Sequence, residues 1–383
     1  MPDHATPSLP TGLTISNIDI PTHDRVLRVV DSVSGLHALI GIHNQRRGPA
    51  LGGIRFWPYA DEDEALRDVL RLSRGMTAKS AALDLPWGGA KTVIIGDPEK
   101  LKSPALLRAL AYAINSLGGH YIGGEDVNIS VADIEVMRTI TPHLVGSAEG
   151  CGDPAPYTAQ GVFHGIRAAV SHRLGRDNLQ GLRLAVQGAG AVSAILCRLL
   201  HREGAVISVC DLKEARAHHV AKQCGARVVP ALAILETDAD VLVPCALGGT
   251  LDAQSIARLN VSVIAGPANN QLALAEDAES LHARNILYAP DYLINAGGLI
   301  AGIAEYEANR DRHSFDRAAA MAEVDLIYKR SSALFVEAQR LDLAPATLCD
   351  RTIASQIDSR PMKITISCCL SAIFTMPDLR GEW

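Results

Sequence analysis

Two lysines set in glycine-rich sequence are the residues of this chain whose surroundings first suggest chemistry: Gly75-Met76-Thr77-Ala78-Lys79 and Gly88-Gly89-Ala90-Lys91. A lone lysine is ordinarily a solvated surface charge. Both of these follow apolar stretches, and Lys91 leads into Val93-Ile94-Ile95. A Walker-type phosphate loop is excluded, because Ala90 separates Gly89 from Lys91. Two lysines in one cleft can divide the work. One stays cationic and pairs with a carboxylate, while the other, desolvated and near a like charge, gives up its proton and serves as a base. Asp126, on the Gly123-Gly124-Glu125 segment, either caps a turn or passes protons to and from an amine beside a neutral lysine. Asn269 and Asn270 in Gly266-Pro267-Ala268-Asn269-Asn270, and Asn295 before Ala296-Gly297-Gly298, offer amides to a carboxylate or carboxamide, or else form turns.

A second constellation is Gly188-Ala189-Gly190-Ala191-Val192-Ser193, a dinucleotide fingerprint with serine in the third small position. Its context strengthens it: strand-like sequence precedes, helical sequence follows, and Asp211 stands twenty-one residues past Gly190. There Gly188 makes the turn, Gly190 admits a pyrophosphate, and the helix N-terminus stabilises its charge. Asp211 can accept from a ribose 2′-hydroxyl and repels a 2′-phosphate, which predicts NAD over NADP. The competing reading is an ordinary α/β turn with no ligand.

The elements that must hold these residues are legible at lower resolution. Val26 to Val30 and Leu36 to His43 read as an antiparallel hairpin. Asp61 to Met76 reads as a capped helix, followed by a Gly88-Gly89 turn and a β-branched run, Thr92 to Ile95. A helix over Pro104 to Leu117 precedes a short strand at His120 to Ile122 and a loop over Gly123 to Asp126. Composition changes near Gly146 to Pro156, after which strands at 182–186, 206–209, 226–229, 241–244 and 262–265 alternate with helices, the pattern of a parallel doubly wound sheet. The sequence is helical from about Leu299 to Ala338; the first ten residues read as a loosely attached end, and the tail after Pro361 carries no assignable pattern. The expected fold is α/β in two domains: 1–150 for substrate and catalysis, 151–340 for the dinucleotide, with 341–383 returning to the first.

Composition bounds the rest. The 383 residues are 48% apolar and 20% charged, without an apolar run of membrane-spanning length. A net charge of -6 leaves no electrostatic footprint for nucleic acid. The eight cysteines form no C-x-x-C pair and no zinc-like spacing, so no metal site is predicted. Their scatter and the lack of a secretory pattern predict a reducing, cytoplasmic setting. Aromatics are scarce at 4%, while glycines number 32.

Seven blocks occur in a common order: Gly48 to Tyr59, Leu72 to Pro98, Gly123 to Val127, Val186 to Ser193, Pro244 to Gly249, Gly266 to Leu272 and Ala289 to Gly298. Together they closely resemble the glutamate/leucine/phenylalanine/valine group of amino acid dehydrogenases. The resemblance implies reversible, NAD-dependent oxidative deamination of an L-amino acid to a 2-oxo acid, by a homo-oligomer. It implies that Lys79, helped by Asn270, binds the α-carboxylate, that Lys91 activates water, and that Asp126 exchanges protons with the amine. It places Leu51, Gly52, Gly124, Leu299 and Gly302 around the substrate, and Gly188, Gly190, Ala191, Val192, Asp211, Thr158 and Asn269 around the dinucleotide. Glutamate-specific relatives carry lysine where this chain has Leu51 and serine where it has Gly302. Without them a glutamate side chain would bury an unpaired charge. Leucine-type relatives have alanine and valine where Gly124 and Gly302 stand, so the expected substrate is aromatic, tryptophan or phenylalanine, with leucine or valine as the alternative. Asn128-Ile129-Ser130 departs from a common Gly-Thr-Thr. A non-catalytic NAD-binding scaffold is the rival from another class.

Overall fold

Alternating apolar residues, with Val26, Leu27 and Val29 buried, shape a hairpin of β2 (Arg25–Asp31) and β3 (Leu36–Asn44), to which β1 (Leu13–Ile18) adds an antiparallel edge. A computed structural model gives this arrangement and describes residues 10–246 and 248–358. The N-terminal end expected to be loosely attached (apart from Pro10), Leu247 and the tail after Pro361 lie outside those residues. After β3 the chain forms β4 (Ala50–Trp57), α1 (Glu62–Ala82), β5 (Gly88–Ile95), α2 (Pro98–Leu101), α3 (Pro104–Asn115), β6 (Tyr121–Glu125) and α4 (Val131–Arg138). The six strands run β1-β2-β3-β5-β4-β6, antiparallel as far as β5 and parallel from β5 through β4 to β6.

Helix α1 starts where expected, with Asp61 accepting from the Glu64 amide, but continues to Ala82 and so contains Lys79. Its last turns bury only small residues, Thr77, Ser80 and Ala81, which leave no large-apolar periodicity to read. The Gly88-Gly89 turn and the Gly123-Gly124 loop are both strand. A Cβ on Gly89 would lie 2.0 Å from the Thr77 amide nitrogen, so glycine there lets β5 press against α1.

The second half is α5 (Ala155–Leu174), β7 (Arg183–Gln187), α6 (Ala191–Arg202), β8 (Val206–Cys210), α7 (Glu214–Cys224), β9 (Arg227–Val228), β10 (Val241–Pro244), α8 (Ala253–Arg258), β11 (Val263–Ile264), α9 (Asp277–Ala283), β12 (Leu287–Tyr288) and α10 (Asp291–Ile294). Its strands are all parallel in the order β12-β11-β10-β7-β8-β9, so the winding reverses between β7 and β10. That reversal is the topological switch point of a doubly wound sheet, where ligands bind beyond the strand ends. The long helical stretch resolves into α11 (Gly297–Arg310), α12 (Arg317–Asp325) and α13 (Ile327–Leu341). The last helix, α14 (Pro345–Asp358), packs on α13, α9 and β12 but also on α1 of the first half. Arg47, its side chain almost wholly buried, donates to the Gln356 carbonyl at 3.2 Å and pairs with Asp84. Among the described residues no helix is long and apolar enough to cross a membrane.

Candidate active site

Because side chains alternate along a strand, residues two apart share a face. On β4 this puts Leu51, Gly53 and Arg55 in one row, while Ile54 and Phe56 enter the core behind. The facing row of β5 carries Gly89 and Lys91, and that of β6 carries Ile122 and Gly124 and continues to Asp126. Lys91 Nζ lies 2.8 Å from Asp126 Oδ2. Gly53 makes that approach possible, since a Cβ there would sit 2.8 Å from Asp126 Cβ and 3.1 Å from Lys91 Nζ. Burial lowers the pKa of Lys91, and the charge of Arg55 lowers it further against the pull of Asp126. Burial alone would raise Asp126, but the cations of Lys91 and Arg55 outweigh it and hold the carboxyl at about 2.

Lys79, from α1, reaches across to the second half, where its Nζ donates to Asn269 Oδ1 at 3.4 Å. Asn295 Nδ2 donates to the same oxygen at 3.1 Å and to the Pro267 carbonyl. Burial, seconded by repulsion from Lys91, brings Lys79 down to about 8, although Asp291 and Asp126 oppose the shift. The amide meeting Lys79 is thus Asn269, expected at the dinucleotide. Asn270, expected beside Lys79, adopts a left-handed backbone (φ 52°) and has its amide N–H held by Asp291 Oδ2 at 2.9 Å.

Leu51, Trp87, Ile122, Val145, Leu299 and Ile303 form an apolar cluster beside this polar group. Gly124 and Gly302 both face Val145: a Cβ on either would lie 3.1 Å or 3.2 Å from Val145 Cγ2. Val145 therefore takes up part of the volume those glycines leave. At Gly52, expected beside the substrate, a Cβ would fall 1.6 Å from the Ala90 carbonyl oxygen. Strand packing therefore demands glycine at that position.

At the switch point, Gly188 turns with φ 108° and packs against the Cys245 backbone, while Ser193 pins the turn by donating to the Gly188 carbonyl at 2.6 Å. Gly190 opens α6 with no side-chain cap, and a Cβ there would meet nothing within 4 Å. Ala191 is exposed and Val192 half-buried at that helix start. Asp211 follows β8 and accepts from the Ala189 and Lys213 amides, each at 2.8 Å. Open space over an uncapped helix N-terminus, with a carboxylate at the neighbouring strand end, fits a pyrophosphate and a ribose diol. Thr158 lies where α11 crosses α5, its Oγ1 3.0 Å from the Cβ position of Gly298.

Residues 19–143 match the family profile "Glu/Leu/Phe/Val dehydrogenase, dimerisation domain", and residues 208–344 match "Glutamate/Leucine/Phenylalanine/Valine dehydrogenase". The chain is 42% identical over 341 residues to leucine dehydrogenase of Geobacillus stearothermophilus, covering 88% of this chain and 91% of that protein. The chain belongs to the Glu/Leu/Phe/Val dehydrogenase family. It is also 43% identical over 318 residues to L-tryptophan dehydrogenase of Nostoc punctiforme, covering 82% of this chain and 87% of that one. The crystal structure of L-tryptophan dehydrogenase from Nostoc punctiforme superposes with a TM-score of 0.71 at 40% identity, covering 88% and 97% of the two chains. A hetero-hexameric glutamate dehydrogenase from Thermus thermophilus, only 23% identical, shares the fold with a TM-score of 0.72 over 91% and 88%. This dehydrogenase is accordingly an oxidoreductase of the amino acid dehydrogenase family, and the scaffold reading falls away.

Sequence reasoning missed three groups in this family member. Arg55 donates to Asp126 at 3.1 Å and to Asp68 at 2.9 Å, and Tyr59 donates to the same Asp68 oxygen at 2.6 Å. Val145 gives no chemical signal in a sequence. Glu305 is fully buried and accepts from Gly146, Ser147, Cys151 and Arg138. Alternation along β4, had that strand been recognised, would have put Arg55 in line with Leu51.

Proposed function

We propose that this enzyme catalyses the reversible, NAD-dependent oxidative deamination of an aromatic L-amino acid, tryptophan or phenylalanine, to the 2-oxo acid and ammonia. The observation that carries the chemistry is the buried Lys91–Asp126 pair at 2.8 Å with Lys79 facing it from α1. Lys79, cationic, holds the α-carboxylate, and the Asn269 amide beside it orients that carboxylate. Asp126, ionised, accepts a hydrogen bond from the substrate nitrogen and relays its protons. Lys91, with a lowered pKa, takes the proton from the water that attacks the iminium carbon, after which ammonia departs. A bound oxidised nicotinamide supplies the acceptor for the hydride leaving Cα. Gly188, Gly190, Ala191 and Val192 would hold its pyrophosphate, Asp211 the ribose and Thr158 the carboxamide. The Asp211 carboxylate disfavours a 2′-phosphate, which supports NAD over NADP.

The substrate side chain is assigned to the cleft among Leu51, Gly124, Leu299 and Gly302, a lining without a charged group. Two glycines facing one cleft support an aromatic ring. Val145, lying against both, favours the second reading, a branched aliphatic substrate such as leucine or valine. The substrate half is proposed to run to residue 150 and the dinucleotide half over 151–340, with the final segment returning to α1. The description "dimerisation domain" supports a homo-oligomer, and six free thiols among the described cysteines support a cytoplasmic setting.

One panel tests the proposal: reduction of NAD and NADP followed with tryptophan, phenylalanine, leucine, valine and glutamate, on the parent enzyme and Lys91→Ala. Aromatic turnover with NAD, lost in Lys91→Ala, is expected. Leucine turnover well above both aromatic substrates sinks the aromatic reading, and an undiminished Lys91→Ala enzyme sinks the mechanism.

A further inference from the structure

Arg55 sits on the active face of β4, with a side chain only 20% exposed between two carboxylates. Its Nε donates to Asp126 Oδ2 at 3.1 Å and its Nη1 to Asp68 Oδ2 at 2.9 Å. Asp68 projects from α1 and is secured by the Tyr59 hydroxyl at 2.6 Å. The guanidinium is a planar fork with fixed donor directions, so two anchored bonds fix its plane. Asp126 therefore has its oxygen set from two sides: Lys91 on β5 and Arg55 on β4. We propose that Arg55 is a positioning residue, holding the Asp126 carboxylate against Lys91 and held in turn by the Asp68–Tyr59 pair. The inference rests on the reading that Lys91 and Asp126 perform the proton transfers.

The charges around the pair make this testable. Asp126 is faced by Lys91 from β5, Arg55 from β4, Lys79 from α1 and Tyr121 from β6, while Asp68 from α1 acts on Lys91 and Arg55. The cation of Arg55 disfavours protons on both Asp126 and Lys91, whereas the Asp68 carboxylate favours the protonated Lys91. The two neighbours thus push the reacting pair in opposite directions.

The experiment is the pH profile of kcat/KM for Arg55→Gln, Asp68→Asn and Arg55→Lys, with the thermal midpoint of each variant recorded. In Arg55→Gln the acid limb moves to higher pH by about one unit, so kcat/KM below the limb falls about tenfold. In Asp68→Asn, where the guanidinium charge is no longer shared, the limb moves to lower pH. Arg55→Lys keeps the charge but loses the fork, so the limb stays in place while kcat falls and KM holds. Limbs that stay put in both neutral variants, or move in the same direction, overturn the proposal and leave Arg55 a structural strut. If Arg55→Gln does not fold, the other two decide: a limb in Asp68→Asn that stays put or moves to higher pH, or a parental kcat in Arg55→Lys, overturns the proposal. Asp126→Asn run alongside separates the two levels. Parental turnover in that variant defeats the catalytic reading itself, whereas lost turnover with unmoved limbs defeats only the role of Arg55.

Discussion

Lys79 and Lys91 illustrate how surroundings alone suit one residue type to the two tasks proposed for it. Both are lowered by burial, but Lys91 has Asp126 within 2.8 Å, whereas Lys79 has a neutral amide at 3.4 Å. In the proposed mechanism the cationic form of Lys79 meets the substrate carboxylate, and that form disappears as pH rises through about 8. An alkaline limb near that pH is expected in kcat/KM, which reports the free enzyme. It should shift to higher pH in kcat, because a bound carboxylate favours the charged lysine. Identical alkaline limbs in both profiles would remove Lys79 from carboxylate binding. The pocket allows an equally direct check. In Gly124→Ala/Gly302→Val the new methyls crowd Val145 from two sides, so aromatic kcat/KM is expected to drop about a hundredfold, the upper part of the range for small changes in pocket volume. The leucine value should change far less. A double variant with unchanged preference would mean that the ring is held elsewhere. These residue types were legible because lysine, aspartate and glycine in short blocks carry chemical meaning. Val145 was not, since its importance is a distance of 3.1–3.2 Å to positions far away in sequence.

At the level of elements, the proposed active site is the meeting of α1 with β5, and glycine sets how close they come. The sequence reading found the helix and the β-branched strand yet took Gly88-Gly89 and Gly123-Gly124 for turns, because glycine pairs more often mark turns than strands. Only strand pairing shows otherwise: Gly88 and Gly89 pair with Ala50 and Leu51, and Gly123 and Gly124 with Gly52 and Gly53. The doubly wound half was read more fully, since most of its strands lie in short apolar runs bounded by turn residues, whereas β12 in that half and β1 in the other were too short or too polar to stand out. The same geometry predicts a large effect from one methyl. Gly89→Ala would place its Cβ 2.0 Å from the Thr77 nitrogen and 2.4 Å from its Oγ1, a clash with helix backbone that no rotamer relieves. Overpacking of this kind costs about 1–3 kcal/mol and occasionally more. Denaturant titration should show the upper end of that range, with kcat/KM falling further as Lys79 and Lys91 separate. Gly75→Ala, in the same helix with nothing within 4 Å of its Cβ position, is the control and should be neutral or stabilising. Equal stability of the two variants would contradict the packing argument.

Across the whole molecule, the two halves are joined by the connection over residues 146–154, and one carboxylate gathers it. Glu305, fully buried on α11, accepts from the amides of Gly146 at 2.8 Å, Cys151 at 3.0 Å and Ser147 at 3.2 Å, and from Arg138 at 3.1 Å. Glycine at 150 lets the connection close over that carboxylate, since a Cβ there would lie 2.1 Å from the Glu305 carboxyl carbon. The composition change in this region marked the joint in sequence, but nothing in sequence linked it to a glutamate some 155 residues later. Helix α11 thereby ties the joint to the proposed pocket, since Gly302 and Leu299 lie about one and two turns before Glu305. Glu305→Gln keeps the shape but replaces one acceptor oxygen with a donor facing other donors. Breaking a buried charged network typically costs about 3–5 kcal/mol, which for halves of this size lowers the thermal midpoint by roughly 10 °C. The sign of the pH dependence is set by the carboxyl itself: burial would raise its pKa, but the donors from Cys151, Ser147 and Gly146 prevail and hold it below the ordinary 4.5. A depressed carboxyl stabilises the fold fully above its unfolded value and loses that contribution as pH falls through its folded one. The gap in thermal midpoint between parent and Glu305→Gln should therefore be constant above 4.5 and close below it. A gap that persists undiminished well into acid would show that the side chain acts through shape alone.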